Sequence, residues 1–160
     1  MAKKIIYPLP KRVVPKAIII WCSDPRLQEA IPMFIQDKLK LKAGSYIPFV
    51  VEGGPGPLGL YKETPGEFRF IHDRLERFLD HYSSIKRVII INHQDCEYYK
   101  LLSSKMGSLL PFHTHMERKD IEQLRSILCV YLREYDIKLE TYYASFIDVA
   151  HTGITIEKSY

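Results

Sequence analysis

Two stretches of the chain, Ala17-Ile18-Ile19-Ile20-Trp21 and Val88-Ile89-Ile90-Ile91, are apolar without a break. A strand with one wet face alternates apolar and polar side chains. Unbroken runs of this length therefore predict strands buried on both faces, as in a parallel sheet covered by helices. A further strand is expected over 46–51, and the last two over 139–146 and 152–157, the final one as an edge strand or hairpin arm. Helical spacing fills the intervals. A helix is expected over 27–39, with Pro32 near its start. A long one is expected from Thr64, where Thr64-Pro65-Gly66-Glu67 has the form of a capping box and Phe68, Ile71, Leu75, Phe78 and Leu79 share a face. A short helix should follow residue 96 and run to Leu102. Another should span 117–135, with Ile121, Leu124, Leu128 and Leu132 on its inner stripe. The run Gly53-Gly54-Pro55-Gly56-Pro57-Leu58-Gly59 predicts a loop, and residues 104–116 read as irregular chain.

Strands alternating with helices imply an α/β fold with a mostly parallel central β-sheet flanked by helices on both faces. At 160 residues the chain fits one domain, and a domain of that size buries roughly 70% of its unfolded surface. Residues 1–16 form a basic, proline-interrupted arm, and 17–160 form the single α/β domain. The net charge of +4 is concentrated in the arm, at Lys3, Lys4, Lys11, Arg12 and Lys16. With Pro8, Pro10 and Pro15 among them, these residues suit an arm packed on a neighbouring subunit better than a polyanion site, so no nucleic-acid partner is expected. No apolar stretch approaches the roughly 18 residues that span a bilayer, and no signal peptide is evident, so no membrane association and a cytoplasmic location are expected.

The chemistry sits where the two apolar runs end. Cys22-Ser23-Asp24-Pro25-Arg26 follows the first, and Asn92-His93-Gln94-Asp95-Cys96 follows the second. Ligands of open α/β sheets bind just beyond the carboxyl ends of the strands. Two thiols and an imidazole delivered to that edge form a donor set suited to Zn2+, and three protein ligands leave a fourth position open, as at a catalytic site. Cys22, His93 and Cys96 are therefore the candidate zinc ligands. An odd count of three cysteines argues against a disulfide framework. Cys129, on an apolar helical stripe, reads as a small core residue. No phosphate-binding glycine motif is present, and the thioredoxin-like CxxC spacing is absent.

Cys-x-Asp-x-Arg after the first strand, a small-residue loop after the second and His-x-x-Cys after the third together resemble the β-class carbonic anhydrases, in order of elements over about 15–158. The resemblance implies that zinc is held by Cys22, His93 and Cys96. It also implies that Asp24 and Arg26 form the catalytic dyad and that Gly53 and Gly54 flank the substrate. It implies reversible hydration of carbon dioxide to bicarbonate by a zinc-bound hydroxide, in a homodimer or larger homo-oligomer. Arg26 would hold the Asp24 carboxylate in a bidentate grip. Released, Asp24 could ligate zinc itself and close the site, as in some members at lower pH. The chain departs from the family pattern at Val51-Glu52-Gly53-Gly54, where an Arg-Asn-Ala-Gly sequence is usual. It also departs at Glu97, where glycine is usual, and in a longer stretch before His93 with the excess at 53–66. Two other readings remain open. One is a carbonic anhydrase-like zinc enzyme acting on carbonyl sulfide or carbon disulfide; the other is a zinc-binding module without catalysis. His113 and His115 could shuttle protons, although an exposed loop pair is the plainer reading. Nothing in the sequence places His151 at the site, and His72 and His81 read as ordinary helix residues. Tyr98, Tyr99, Tyr142 and Tyr143 serve equally well as pocket lining or as core.

Overall fold

The two apolar runs lie side by side in the middle of a five-stranded sheet. The structure is a computed structural model, and it describes Leu9, residues 13–106 and residues 113–159, with the backbone alone at 106 and 113–120. Its strands are β1 (Ala17–Cys22), β2 (Tyr46–Val51), β3 (Arg87–His93), β4 (Lys138–Phe146) and β5 (Ile154–Lys158). Their order across the sheet is β2-β1-β3-β4-β5. The first four are parallel, and β5 returns antiparallel to β4. The fold is thus α/β with a mostly parallel sheet, as the apolar runs require. Pro48 pairs with Ile19 from the edge strand β2, where a missing N–H costs least.

Alternate residues of β1 and β3 feed two separate cores. Ile19, Trp21, Ile89 and Ile91 face one way and pack with Leu27, Ile31 and Ile35, and with Tyr99 from the helix that follows β3. Ile18, Ile20, Val88 and Ile90 face the other way, onto Leu58, Leu75, Leu124 and Leu128. The first core is covered by α1 (Ala30–Asp37) and α4 (Glu97–Met106). The second is covered by α2 (Gly56–Gly59), α3 (Pro65–His81) and α5 (His113–Arg133). Each isoleucine of the β1 run is fully buried, which is worth roughly 1.5–3 kcal/mol per side chain before entropy is counted. Among the described residues, no helix is long and apolar enough to cross a membrane.

Several local expectations are corrected. The glycine–proline run is not all loop: Gly56–Gly59 makes one helical turn, and residues 53–60 are buried. Proline supplies the φ of such a turn without needing a donor, so composition alone misreads it. The capping box does not form. Thr64 is the N-cap residue of α3 but makes no side-chain cap; its hydroxyl donates back to the Leu60 carbonyl at 2.9 Å, while Glu67 accepts from the Tyr98 hydroxyl at 2.6 Å. The helix expected over 27–39 begins as a 3-10 turn at Pro25–Leu27, and α1 starts only at Ala30. The segment 104–116 is less irregular than expected, since α4 reaches Met106 and α5 starts at His113; residues 107–112 lie outside the described chain. His113 and His115 therefore belong to a helix rather than a loop. Cys129 is half-buried beside the inner stripe rather than in the core. Most of the basic arm lies outside the described residues. Its last residues are tied down by Lys16 N–H to the Ser45 carbonyl at 2.8 Å and by Ser84 Oγ to the Pro15 carbonyl at 2.7 Å.

One buried charge lies in the sheet itself. Glu140 on β4 accepts from Arg87 Nε at 2.7 Å and from the Tyr142 hydroxyl at 3.1 Å, with its side chain only 7% exposed. Burial pushes its carboxyl up, but Arg87 outweighs burial and leaves it below the ordinary glutamate value. A depressed carboxyl stabilises the fold above its unfolded pKa of about 4.3, and that contribution is lost as pH falls through the folded value. Acid unfolding followed by circular dichroism should therefore shift in Glu140→Gln: the variant loses stability at neutral pH and shows a shallower decline below pH 4. An unchanged acid limb would show that the pair contributes nothing to it.

Candidate metal centre

The strand order decides where the site lies. From β1 the chain runs out to β2 on one side and returns to β3 on the other, so the crevice between the carboxyl ends of β1 and β3 is a topological switch point. Cys22 is the last residue of β1 and His93 the last of β3. Asp95, in the left-handed conformation at φ +59°, turns the chain so that Cys96 comes back beneath them. The result is a cluster in which Cys22 Sγ, a His93 ring nitrogen and Cys96 Sγ all lie within 4.8 Å of one another. All three residues are buried, at 4%, 1% and 1% exposure.

Three observations test whether this cluster suits a metal. The two sulfurs are 3.8 Å apart, close to the separation of about 3.8 Å for two thiolates each 2.3 Å from a tetrahedral zinc. His93 Nδ1 lies 2.8 Å from the Gln94 carbonyl, so it carries the proton and donates. That leaves Nε2 as the unprotonated nitrogen, and it is fully buried with no hydrogen-bond partner among the described residues. A buried unpaired acceptor costs roughly 1–3 kcal/mol, and here it sits beside two thiols. A backbone carbonyl fixing the far nitrogen is the usual way in which a ligating imidazole is oriented. The residues present fit zinc.

The thiols are also prepared electrostatically. The Cys96 S–H donating to Cys22 lowers the Cys22 thiol, against burial, and the His93 ring and the Asp24 backbone N–H add to it. Cys96 moves the other way, raised by the neighbouring Cys22 sulfur and by burial, although the Tyr98 and Tyr99 backbone N–H groups at the start of α4 oppose this. A cation bound between the two sulfurs would displace the remaining thiol proton.

Asp24 and Arg26 are brought together at the rim. Arg26 donates to Asp24 through Nε at 3.0 and 3.1 Å and through Nη2 at 2.6 Å, while its backbone N–H caps Oδ1 at 2.9 Å. Burial pushes the Asp24 carboxyl up, but the guanidinium outweighs it and keeps the group below the ordinary aspartate value. Gln28 anchors the same loop through the Cys22 and Asp24 carbonyls at 2.9 and 2.8 Å. The cleft in front is about 510 Å³ and includes Cys22, Asp24, Arg26, Glu52, Glu97 and Tyr98 in its walls. Three carboxylates face one guanidinium there.

Gly53 also lines the cleft, while Gly54 lies behind it. Both have positive φ, +72° and +54°. Their lack of Cβ is explained by packing: a Cβ on Gly53 would lie 2.5 Å from the Tyr98 ring, and one on Gly54 2.8 Å from the Cys22 backbone nitrogen. Sequence reasoning missed Asp95, whose Oδ2 accepts from Arg26 Nη1 at 3.1 Å, and Lys100, whose Nζ pairs with Asp95 at 2.7 Å. It also left His151 unplaced, and the structure sets His151 Nδ1 3.0 Å from Arg26 Nη1. The adjacency of Asp95 to a ligand motif was a usable signal for the first. For His151, 125 residues from Arg26, there was none. Tyr98 lines the cleft, whereas Tyr142 packs edge-on with Phe34 against the core beneath α1. His72 and His81 lie on α3, away from the site.

No protein-family profile and no curated protein sequence matches the chain. Solved structures do. One of two tetrameric β-carbonic anhydrases from Sordaria macrospora is 13% identical, with a TM-score of 0.49 over 91% of this chain and 81% of that one. The β-carbonic anhydrase CafD of Aspergillus fumigatus is 14% identical, with a TM-score of 0.38 and 93% of each chain covered. The β-carbonic anhydrase CcaA is 12% identical, with a TM-score of 0.44 over 91% of this chain and 74% of that one. The likeness is remote, and the functional reading rests on the residues of this chain.

Purified protein should bind one zinc per chain by atomic absorption, and Cys22→Ser, His93→Ala and Cys96→Ser should each lose it. Retention of full zinc in any of the three would remove that residue from the ligand set. Gly54→Ala should lower stability by about 1–3 kcal/mol in urea unfolding, from backbone strain and the close approach to β1. A wild-type midpoint would show that the turn adapts freely.

Proposed function

We propose that the chain is a zinc-dependent carbonic anhydrase, hydrating carbon dioxide reversibly to bicarbonate, with Cys22, His93 and Cys96 holding the metal. The observation that carries this reading is the buried, unpaired His93 Nε2 beside two thiols, next to a carboxylate that is gripped from outside by an arginine. A structural zinc site has no use for the second feature. Zinc bound there supplies Lewis acidity, which brings the deprotonation of water towards neutral pH.

The residues of the chain do the rest. Asp24 is kept ionised by Arg26 and accepts a hydrogen bond from the attacking oxygen, which orients that oxygen's lone pair towards the substrate. Arg26 spends its donors on Asp24 and Asp95, so it fixes the base rather than binding an anion. The Tyr98 hydroxyl is directed away to Glu67, leaving the ring as an apolar wall. Gly53 lets that wall stand close, and Gly54 lets the same loop close on the Cys22 backbone. Glu52 and Glu97 make the cleft unfavourable for anions, which suits a neutral substrate and the departure of an anionic product. Assembly into a homodimer or larger homo-oligomer belongs to the same reading.

The test is carbon dioxide hydration by stopped flow on zinc-loaded protein at pH 8.5. Wild type should turn over. Asp24→Asn should keep its zinc and lose on the order of 10²-fold in kcat/KM, the scale of a lost acid–base group, and Arg26→Ala should fall in the same direction. Zinc-loaded protein without turnover would overturn the reading. Activity on carbonyl sulfide or carbon disulfide alone would assign the same site to another neutral substrate.

A further inference from the structure

Arg26 makes more contacts than a grip on Asp24 requires. Its Nη1 lies 3.0 Å from His151 Nδ1, and its Nη2 also donates to the Asp95 carbonyl at 3.0 Å. A guanidinium has no acceptor, so the bond to His151 runs from Arg26 to an unprotonated Nδ1, which requires the neutral imidazole with its proton on Nε2. The ring is held flat: it stacks on Phe146 with centroids 4.0 Å apart and planes 20° from parallel. The same Phe146 ring lies 4.6 Å from Arg26 Cζ. Phe146 ends β4, and the turn from β4 to β5 is shaped to present the histidine. His151 sits at φ +54°, its N–H donates to the Asp148 carbonyl at 3.2 Å, and the Asp148 side chain accepts from Thr152 N–H at 2.9 Å and from the Thr152 hydroxyl. A non-glycine residue in that conformation is uncommon and costs energy, which the turn's own bonds offset.

We propose that His151 is a positioning residue for Arg26: its neutral imidazole, delivered by the β4–β5 turn, holds the guanidinium in the orientation that grips Asp24. The consequence for turnover rests on the role of Asp24 given above. The charged groups around the imidazole are Arg26 from the 3-10 turn, Asp95 from the β3–α4 connection, which shares Nη1 with it, and Asp148 in its own turn. Protonating Nδ1 would put an N–H where Arg26 needs an acceptor and a second cation at the same distance. Asp95 and Asp148 offset part of that repulsion but cannot restore the hydrogen bond. The grip therefore depends on the imidazole staying neutral and should slacken once Nδ1 carries a proton.

The experiment is nitrogen-15 NMR on the zinc-loaded protein from pH 8 to pH 5.5, reading the His151 ring nitrogens and the Arg26 guanidinium protons. Carbon dioxide hydration is followed on the same samples. At pH 8, His151 should show an unprotonated Nδ1 and Arg26 should show slowly exchanging guanidinium protons. Wherever the ring signals show His151 protonated, the wild type should have lost that protection. His151→Gln, which keeps an acceptor without a charge change, should hold it through the same range. His151→Ala should exchange on the order of tenfold faster already at pH 8, with a wild-type backbone spectrum confirming its fold. The acid limb of hydration should move with the Arg26 signals in wild type and flatten in His151→Gln. Identical Arg26 behaviour in wild type and both variants, or a protonated Nδ1 at pH 8, would overturn the proposal. Arg26 signals that follow His151 in a protein inactive on carbon dioxide would instead overturn the hydration reading and leave His151 in its place.

Discussion

Everything at the carboxyl edge of the sheet depends on burying an imidazole nitrogen beside two sulfurs. Among the described residues His93 Nε2 has no hydrogen-bond partner, and the Cys22 and Cys96 sulfurs stand 3.8 Å apart beside it. A fold tolerates such a group only where a large apolar core holds it in place. Ile18 to Ile20 and Ile89 to Ile90 are fully buried, and Cys22 and His93 sit on the ends of those two strands. The strain is local and the support is distributed. That is the usual arrangement of a site whose unpaired atoms are meant for something else.

A second layer surrounds the first and is ionic rather than apolar. Asp24, Arg26, Asp95, Lys100 and Glu97 form a chain of alternating charge across the rim, in which Arg26 bridges Asp24 and Asp95. Single exposed pairs of this kind are worth little, but Arg26 is bound on several sides at once. Its Nε and Nη2 face Asp24, and its Nη1 faces Asp95 and His151. A planar fork with five donors can serve all of these partners, whereas a lysine could not. The network therefore fixes direction more than it adds stability. It points the Asp24 carboxylate into the cleft and leaves no free guanidinium edge for an incoming anion.

The loop between β2 and α3 shows how packing can resemble a binding motif. Gly53, Gly54 and Gly56 lie near the site and invite a reading as ligand contacts. Yet each is small because of a neighbour in the protein: the Tyr98 ring, the β1 backbone and the Tyr99 hydroxyl. The turn is bound to β2 by the Gly54 N–H to the Val51 carbonyl, and the same carbonyl receives the Ser23 N–H from the Cys22 loop. Glycine here lets two loops close on each other, and the cleft wall follows from that closure.

Local pattern was enough to identify the strands, the parallel sheet and the three candidate ligands, because each rests on short-range information. Unbroken isoleucine runs have only one comfortable environment, and a strand end delivers its next residue to a known edge. Helix limits, the Thr64 cap and the turn at Gly56–Gly59 were not legible, since each was settled by a tertiary partner: the Leu60 carbonyl for Thr64, Tyr98 for Glu67 and Tyr99 for Gly56. Asp24 and Arg26 could be paired from their spacing of two. His151 could not be placed, because its contact with Arg26 depends on where the β4–β5 turn lands after the whole sheet has assembled. The sequence by itself determined the candidate donor set and the sheet that presents it, through covalent order and burial. Only the tertiary structure decided which distant charges surround that set, because electrostatic partners are chosen by distance in space and a linear pattern carries no record of it.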